Sequence, residues 1–226
     1  MNRTPSGLGL AIAAVALAWS PPCSAFDAPP TTALASVRQP REANFLGAVG
    51  SAEVHHVAHW IVGTGDNGGL PFAIIDKTAA RVFVFDRTGR LRGTSYALFG
   101  SARGDDTAPG MGTRKLSAIR PEERTTPAGR FVAQLGRDFE QDILWIDYET
   151  SLSLHRVVAG GKNDHRLERL ATPSPLDNKI SYGCVNVPAL FFDQVVLDAF
   201  TGTKGIVYIL PEVKTIQDVF GTTMGG

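Results

Sequence analysis

One cysteine stands in a setting that favours reactivity. Cys184 lies in residues 180–188, ISYGCVNVP, and the chain's other cysteine, Cys23, falls in a segment with the features of a cleavable leader. An exported protein usually pairs its cysteines or lacks them, so a solitary thiol is a candidate nucleophile. A free cysteine has a pKa of about 8.5, so a base, a cation or backbone amides must lower it before the thiolate can attack a carbonyl near neutrality.

The residues around the thiol offer such a setting. Gly183 allows a sharp turn beside the sulfur, and the amides of Tyr182, Gly183 and Cys184 can converge on a developing oxyanion. The alternative is a buried cysteine that acts only as a small hydrophobic residue. The polar neighbours Ser181 and Asn186 favour the reactive interpretation.

Two histidines are candidates for the base. His155 ends the alternating stretch SLSLH and is followed by Arg156, so it is expected to project from the end of a strand. His165 follows the polar stretch GGKND and is closer in sequence to Cys184. A rigid strand holds a base better than a loop does, which favours His155.

A second group of histidines has a spacing known from metal sites. His55 and His59 are four residues apart, which places both on one face of a helix and can serve zinc. The glutamate of a zinc peptidase is missing between them, and the chain offers no second ligand cluster. We therefore interpret both as ordinary helix residues and expect no metal.

Composition restricts the class of protein. The chain has 226 residues with 22 basic and 22 acidic side chains, so its formal net charge is zero. An excess of positive charge, which would indicate a polyanionic partner, is missing, and nucleic acid is therefore not an expected partner. The 24 glycines and 14 prolines, with little long helical periodicity, favour a turn-rich, mainly β fold.

The beginning of the chain predicts export. Arg3 precedes the uncharged apolar residues 8–19, and the small residues CSA at 23–25 suit cleavage before Phe26. The apolar run is too short for a stable membrane span. The predicted organisation is a signal peptide over 1–25, a linker with a short helix over 26–69, a catalytic domain over 70–211 and a tail over 212–226.

Periodicity and turn residues locate the elements. A helix capped by Ser51 is expected to bury Val54, Val57, Ala58 and Ile61 and to end at residues 65–69. A second helix over 189–200 is expected to turn Phe191, Val195 and Ala199 to the core. Residues 100–124 have the character of a long loop. The predicted strands are 72–76, 80–86, 91–99, 129–135, 143–148, 151–157 and 205–211.

These motifs together resemble the catalytic domain of bacterial L,D-transpeptidases. The likeness rests on Ser-Tyr-Gly-Cys-Val-Asn at 181–186, the strand histidine upstream and Thr-Pro-Ala-Gly-Arg-Phe at 126–131, and it spans about 70–211. It implies a β-sandwich-like fold with a few short helices. It also implies Cys184 as nucleophile, His155 as base, Ser181 as an orienting group, and Gly183 and Asn186 as parts of the nucleophile turn.

The chain departs from the family pattern in two places. Tyr182 stands where the family has a second histidine, and it is predicted to form a wall of the site. Between His155 and Ser181 lie 25 residues, more than is typical, whereas 15 residues lie between His165 and Ser181, which matches the usual gap better. We favour His155, because insertions fall in loops such as 160–179.

The resemblance implies an exported enzyme of the periplasm or cell wall. Its cysteine would attack peptidoglycan stem peptides through a thioester, and Arg156 is a candidate for contacting the substrate. The chemistry requires no metal or organic cofactor. The alternatives are an L,D-carboxypeptidase or endopeptidase that uses water as acceptor, and a catalytically silent module that binds the cell wall.

Overall fold

The computed structural model describes residues 41–158, 160–161, 163–172 and 174–221. The predicted signal peptide, residues 26–40 of the predicted linker, Cys23 and the last five residues of the predicted tail lie outside the described residues.

Ten strands occupy the described part of the chain. They are β1 (Phe72–Asp76), β2 (Arg81–Phe85), β3 (Leu91–Tyr96), β4 (Phe99–Gly100), β5 (Gly129–Asp138), β6 (Gln141–Asp147), β7 (Leu152–Arg156), β8 (Lys179–Ser181), β9 (Val185–Val187) and β10 (Lys204–Ile209). The α-helices are short. They are α1 (Ala52–Thr64), α2 (Arg166–Ala171), α3 (Ala189–Phe191), α4 (Leu197–Phe200) and α5 (Ile216–Phe220).

Eight of the strands form one mixed sheet in the order β3-β2-β1-β10-β5-β6-β7-β9, and β4 pairs with β8. Most neighbours are antiparallel, but β9 runs parallel to β7, with Leu154 opposite Val185 and His155 opposite Asn186. The mainly β class with a few short helices, predicted from the sequence, is confirmed. The parallel pair β7–β9 is the part of the sheet that matters for chemistry.

The large sheet buries apolar side chains on both faces. On one face, Ala73 and Ile75 of β1 join a cluster with the helical segment 189–200. On the other face, Phe72 and Ile74 pack with α1. Alternation along a strand produces these two faces, so a continuous apolar run marks a strand that is covered on both sides.

The first helix agrees with its sequence prediction. Ser51 accepts a hydrogen bond from the Val54 amide at the N-terminus, and Gly65 ends the helix with φ of 74°. Because glycine adopts the left-handed backbone conformation at little cost, it suits the C-terminal cap of a helix. The four predicted core residues of this helix are all buried.

The helix after the cysteine is rotated relative to the prediction. Phe192, Val196 and Phe200 are fully buried, whereas the predicted core residues Phe191, Val195 and Ala199 pack against the cluster only in part. Residues Phe192–Val196 are π-helical. Both stripes repeat every four residues, so periodicity alone does not decide which of them faces the core.

The long segment 101–128 contains three short 3₁₀ turns at Met111–Thr113, Leu116–Ala118 and Pro121–Glu123. A buried ion pair fixes this segment to the sheet: Lys77 Nζ lies 2.6 Å from Asp105 Oδ1, and each side chain is 1% exposed. Lys77 also donates to the carbonyl oxygens of Gly104 and Thr126. Within the described residues, no helix combines the length and apolarity needed to cross a membrane.

Candidate active site

The strand β7 and the turn before β9 bring the predicted nucleophile and base together. Ser153 and His155 share a face of β7, since side chains alternate along a strand. The parallel register with β9 sets Cys184, the residue before that strand, beside this face. The sheet therefore assembles the group from residues that are 29 and 31 positions apart.

Cys184 is partly exposed, and two groups of the β7 segment contact its sulfur. Ser153 Oγ donates to Sγ at 3.5 Å, and in the thiol form Sγ donates to the carbonyl oxygen of Ser151 at 3.5 Å. Burial alone would raise the pKa of the Cys184 thiol. The hydrogen bond with His155, the Ser153 hydroxyl and the charge of His155 outweigh burial and lower that pKa.

The ring of His155 is oriented by the backbone. Its Nδ1 lies 2.7 Å from the carbonyl oxygen of Arg156, and because a carbonyl only accepts, Nδ1 must carry the proton. Nε2 is then the unprotonated nitrogen of the neutral ring. Burial favours the neutral imidazole, but the hydrogen bond and charge of Cys184 outweigh it and raise the pKa of His155. These opposite shifts bring the two pKa values closer together, which eases transfer of the proton from Sγ to the imidazole.

The turn that carries the cysteine is held from inside. Ser181 Oγ donates to the carbonyl oxygen of Cys184 at 2.7 Å and accepts from the Gly183 amide at 3.1 Å. Ser181 therefore bridges two backbone groups of the turn, and its predicted role as an orienting group stays a prediction. Since the Gly183 amide is already engaged, the amides of Tyr182 and Cys184 are the remaining candidates for an oxyanion.

Gly183 occupies a position where a side chain does not fit. Its φ is 136°, and an added Cβ would lie 2.8 Å from the carbonyl oxygen of Thr125. Thr126, the first residue of the Thr-Pro segment, donates from Oγ1 to the Gly183 carbonyl at 2.7 Å. The two sequence motifs of the resemblance are thus in direct contact.

Asn186 connects three parts of the site. Its side-chain nitrogen donates to the Cys184 carbonyl at 3.2 Å and lies 3.4 Å from His155 Nε2. Its backbone exchanges two hydrogen bonds with Leu98, which anchors β9. Asn186 is 1% exposed, so its amide is positioned by protein groups.

A cavity opens on the cysteine beneath the 101–128 segment. Tyr182, Gly183 and Cys184 line one side. The other lining residues come mainly from the long segment and the start of β7. They are Thr107, Met111, Arg114, Leu116, Ile119, Thr125, Pro127, Thr150, Ser151 and Leu152. The guanidinium carbon of Arg124 lies 4.1 Å from the ring centre of Tyr182, which fixes the phenol as a wall of this cavity.

Two of the candidate residues lie apart from the thiol. Arg156 bonds Asp193 and the carbonyl oxygen of Asp142, and its guanidinium covers the ring of Phe192. The structure does not bring Arg156 into the cavity that Cys184 lines. His165 immediately precedes α2, is 62% exposed and faces Glu168 at 3.9 Å. Of the two candidate histidines, His155 on β7 is the one that interacts with the thiol.

The helix histidines have structural contacts. His59 Nδ1 accepts from the Ala43 amide at 3.2 Å, and the ring of His55 lies 3.9 Å from that of Phe45. Across the described residues, no group of three or more His, Cys, Asp or Glu side chains is arranged for a metal ion.

Ser153 and Arg166 were not identified as site residues from the sequence. Ser153 was detectable, since it lies two positions before His155 on the same strand and must share its face. Arg166 Nη1 bonds Asn186 Oδ1 at 3.1 Å. No local pattern marks this contact, because it joins a short helix to a strand that follows much later in the chain.

Comparison with known proteins gives structural neighbours only. No protein-family model and no curated protein matches the chain. The chain is similar to the L,D-transpeptidase from Xylanimonas cellulosilytica, with 16% identity and a TM-score of 0.36 over 62% of this chain and 60% of that one. It is also similar to the catalytic domain of the E. faecium L,D-transpeptidase, with 14% identity and a TM-score of 0.34 over 62% of this chain and 95% of that one. A third neighbour is the helical cell shape determining protein Pgp2 from Campylobacter jejuni, with 13% identity and a TM-score of 0.38 over 65% of this chain and 49% of that one.

The chain spans 49%, 58% and 60% of the length of three of the structures that it matches. At these identities and TM-scores the likeness carries no argument about the reaction. Several of these neighbours are L,D-transpeptidases, the same family that the sequence motifs resemble.

Proposed function

We propose that the protein is a cysteine-dependent L,D-transpeptidase that acts on peptidoglycan stem peptides. The observation that carries the proposal is the pairing of Cys184 with His155 at the wall of a cavity, with opposite shifts of their pKa values. A buried structural cysteine has no need of an oriented histidine or of a hydroxyl directed at its sulfur. Export to the periplasm or cell wall belongs to the same proposal and rests on the leader pattern in residues 1–25.

The chemistry follows from the arrangement. His155 Nε2 takes the thiol proton, and the thiolate of Cys184 attacks the carbonyl carbon that follows the L-centre of diaminopimelate in a stem tetrapeptide. The amides of Tyr182 and Cys184 are the candidates to receive the developing oxyanion. When the carbon–nitrogen bond breaks, His155 returns the proton to the amine of the departing D-alanine, and a thioester remains.

A second amine completes the transfer. The side-chain amine of a neighbouring stem attacks the thioester, loses a proton to His155 and forms an amide, while the thiolate leaves. Water in place of the amine would release a tripeptide, which is the L,D-carboxypeptidase reaction. The proposed role of Tyr182 is that of a wall, because its ring is stacked on Arg124 and borders the cavity.

Product analysis on isolated stem tetrapeptide separates these functions. The proposal predicts a dimer whose mass is twice that of the tetrapeptide less the mass of one D-alanine, with one free D-alanine released per dimer. Tripeptide without dimer would identify water as the acceptor and reject the transpeptidase. Sacculus binding that survives Cys184→Ala, without any peptide product from the unaltered protein, would indicate a binding module.

A further inference from the structure

A positively charged side chain from the segment between β7 and β8 lies at the candidate site. Arg166 is the first residue of α2, and its Nη1 donates to Asn186 Oδ1 at 3.1 Å. Its Nε pairs with Asp164 at 3.1 Å, and its side chain is 15% exposed. The guanidinium is therefore held in place on two sides.

This contact decides which way the Asn186 carboxamide faces. A guanidinium has only donors, so it selects the oxygen of the amide. The nitrogen must then face the Cys184 carbonyl at 3.2 Å and His155 Nε2 at 3.4 Å. The two orientations of an amide have nearly the same shape, so packing alone does not choose between them.

We propose that Arg166 is a positioning residue, which fixes the carboxamide of Asn186 and through it holds the imidazole of His155 against Cys184. The inference rests on the proposed function for the roles of Cys184 and His155. It assigns to the long segment between His155 and Ser181 a part in the site, where the sequence had indicated only a loop insertion.

The charge of Arg166 acts in the same place. Among the described residues, the charged and titratable groups that act on His155 are Cys184 from the turn before β9 and Arg166 from α2, and Asp164 partly neutralises Arg166. Arg156, on the same strand as His155, is paired with Asp193. Arg166 lowers the pKa of His155, against the larger raising effect of Cys184.

Alkylation of Cys184 by iodoacetamide between pH 5 and 10 tests the inference without any stem peptide. Arg166→Gln is expected to slow alkylation at pH 7 about tenfold, the effect of losing one hydrogen bond to a charged group. It should also raise the pKa of His155, followed through its ring signals by NMR. Arg137→Gln is the matched control, because it removes the same charge from a side chain of β5 that is 69% exposed and whose partners are Glu140 and Asp142.

A double variant tests whether Arg166 acts through Asn186. In an Asn186→Ala background, Arg166→Gln is expected to have no further effect on the alkylation rate. An undiminished tenfold effect there, or an equal loss in Arg137→Gln, would overturn the inference. Should Asn186→Ala fail to fold, the comparison of Arg166→Gln with Arg137→Gln decides alone. Failure of the proposed function has a different signature: alkylation still depends on Arg166, but stem tetrapeptide is not consumed.

Discussion

Thr126 Oγ1 donates a hydrogen bond of 2.7 Å to the carbonyl oxygen of Gly183, across 57 positions of sequence. The same hydroxyl accepts from the Gly100 amide at 2.9 Å. This one buried side chain therefore joins the long 101–128 segment, the strand β4 and the turn that carries Cys184. The geometry of that turn depends on the close approach of Gly183 to the backbone of Thr125.

Gly183→Ala is expected to lower the free energy of unfolding by about 1–3 kcal/mol, as for other strained backbone positions. The new Cβ would lie 2.8 Å from the Thr125 carbonyl oxygen at a φ of 136°. Chemical denaturation measures the change. Gly63→Ala, in α1 with 3.7 Å of clearance, is the control and should be neutral or slightly stabilising. Equal effects of the two substitutions would contradict the close approach.

His155→Ala is expected to raise the pKa of the Cys184 thiol, because the strongest of the interactions that lower it is with His155. Alkylation at pH 7 should slow by a factor on the order of 100, as when a general base is lost. The pH dependence of alkylation measures both changes. His165→Ala should leave them unaltered, since that ring is exposed beside Glu168. A larger effect of His165→Ala would show that spacing identifies the base better than strand context does.

Ser153→Ala is expected to raise the pKa of the Cys184 thiol less than His155→Ala does. The hydroxyl donates to Sγ at 3.5 Å and so stabilises the thiolate, but it carries no charge. Thiolate absorbance in the ultraviolet, followed against pH, gives the two values. If Ser153→Ala leaves the titration of Cys184 where it is, the hydroxyl does not contribute to thiol activation.

Asp105→Ala is expected to destabilise the fold by about 3 kcal/mol or more, because it leaves Lys77 buried without its partner. Asp105 also accepts from the amides of Glu212, Val213 and Lys214. Thermal and urea unfolding measure the loss. Asp106→Ala, at a neighbouring carboxylate that is 76% exposed, should change stability by less than about 0.5 kcal/mol.

The same carboxylate gives a pH signature. Burial alone would raise the pKa of Asp105, but Lys77 and the three amides outweigh it and lower the pKa to about 2. The ordinary value is about 3.9, so this contribution to stability is complete above about pH 4 and is lost as the pH falls towards 2. The Asp105→Ala variant should lack this part of the acid sensitivity; an unchanged acid transition would contradict it.

The sequence predicted most of the sheet because period-two patterns and turn residues are local signals. Strand β1 agrees at both ends, and the Ser51 cap follows from residue type. The short strands β8 and β9 were not predicted, because three residues carry too little periodicity and their pairing comes from distant parts of the chain. The strand histidine and the glycine turn were identifiable from residue type and position.

The contacts that tune the site were beyond local patterns. Arg166, the first residue of α2, bonds Asn186 of β9, 20 positions later in the chain, and no spacing within α2 indicates that contact. Arg156 follows His155 directly, yet alternation along β7 directs it to Asp193. Neighbours in sequence on a strand therefore belong to different surroundings, and a residue's place beside a reactive one does not make it part of the site.

The proposed function depends above all on acylation of the Cys184 sulfur by a stem peptide. Intact-mass analysis after brief exposure to stem tetrapeptide tests it most directly. The expected result is a mass increase equal to the mass of the stem tripeptide less one water. Peptide mapping should locate it on Cys184, and a folded Cys184→Ala variant should lack it. An adduct that the Cys184→Ala variant retains, or that maps to another residue, would contradict the claim.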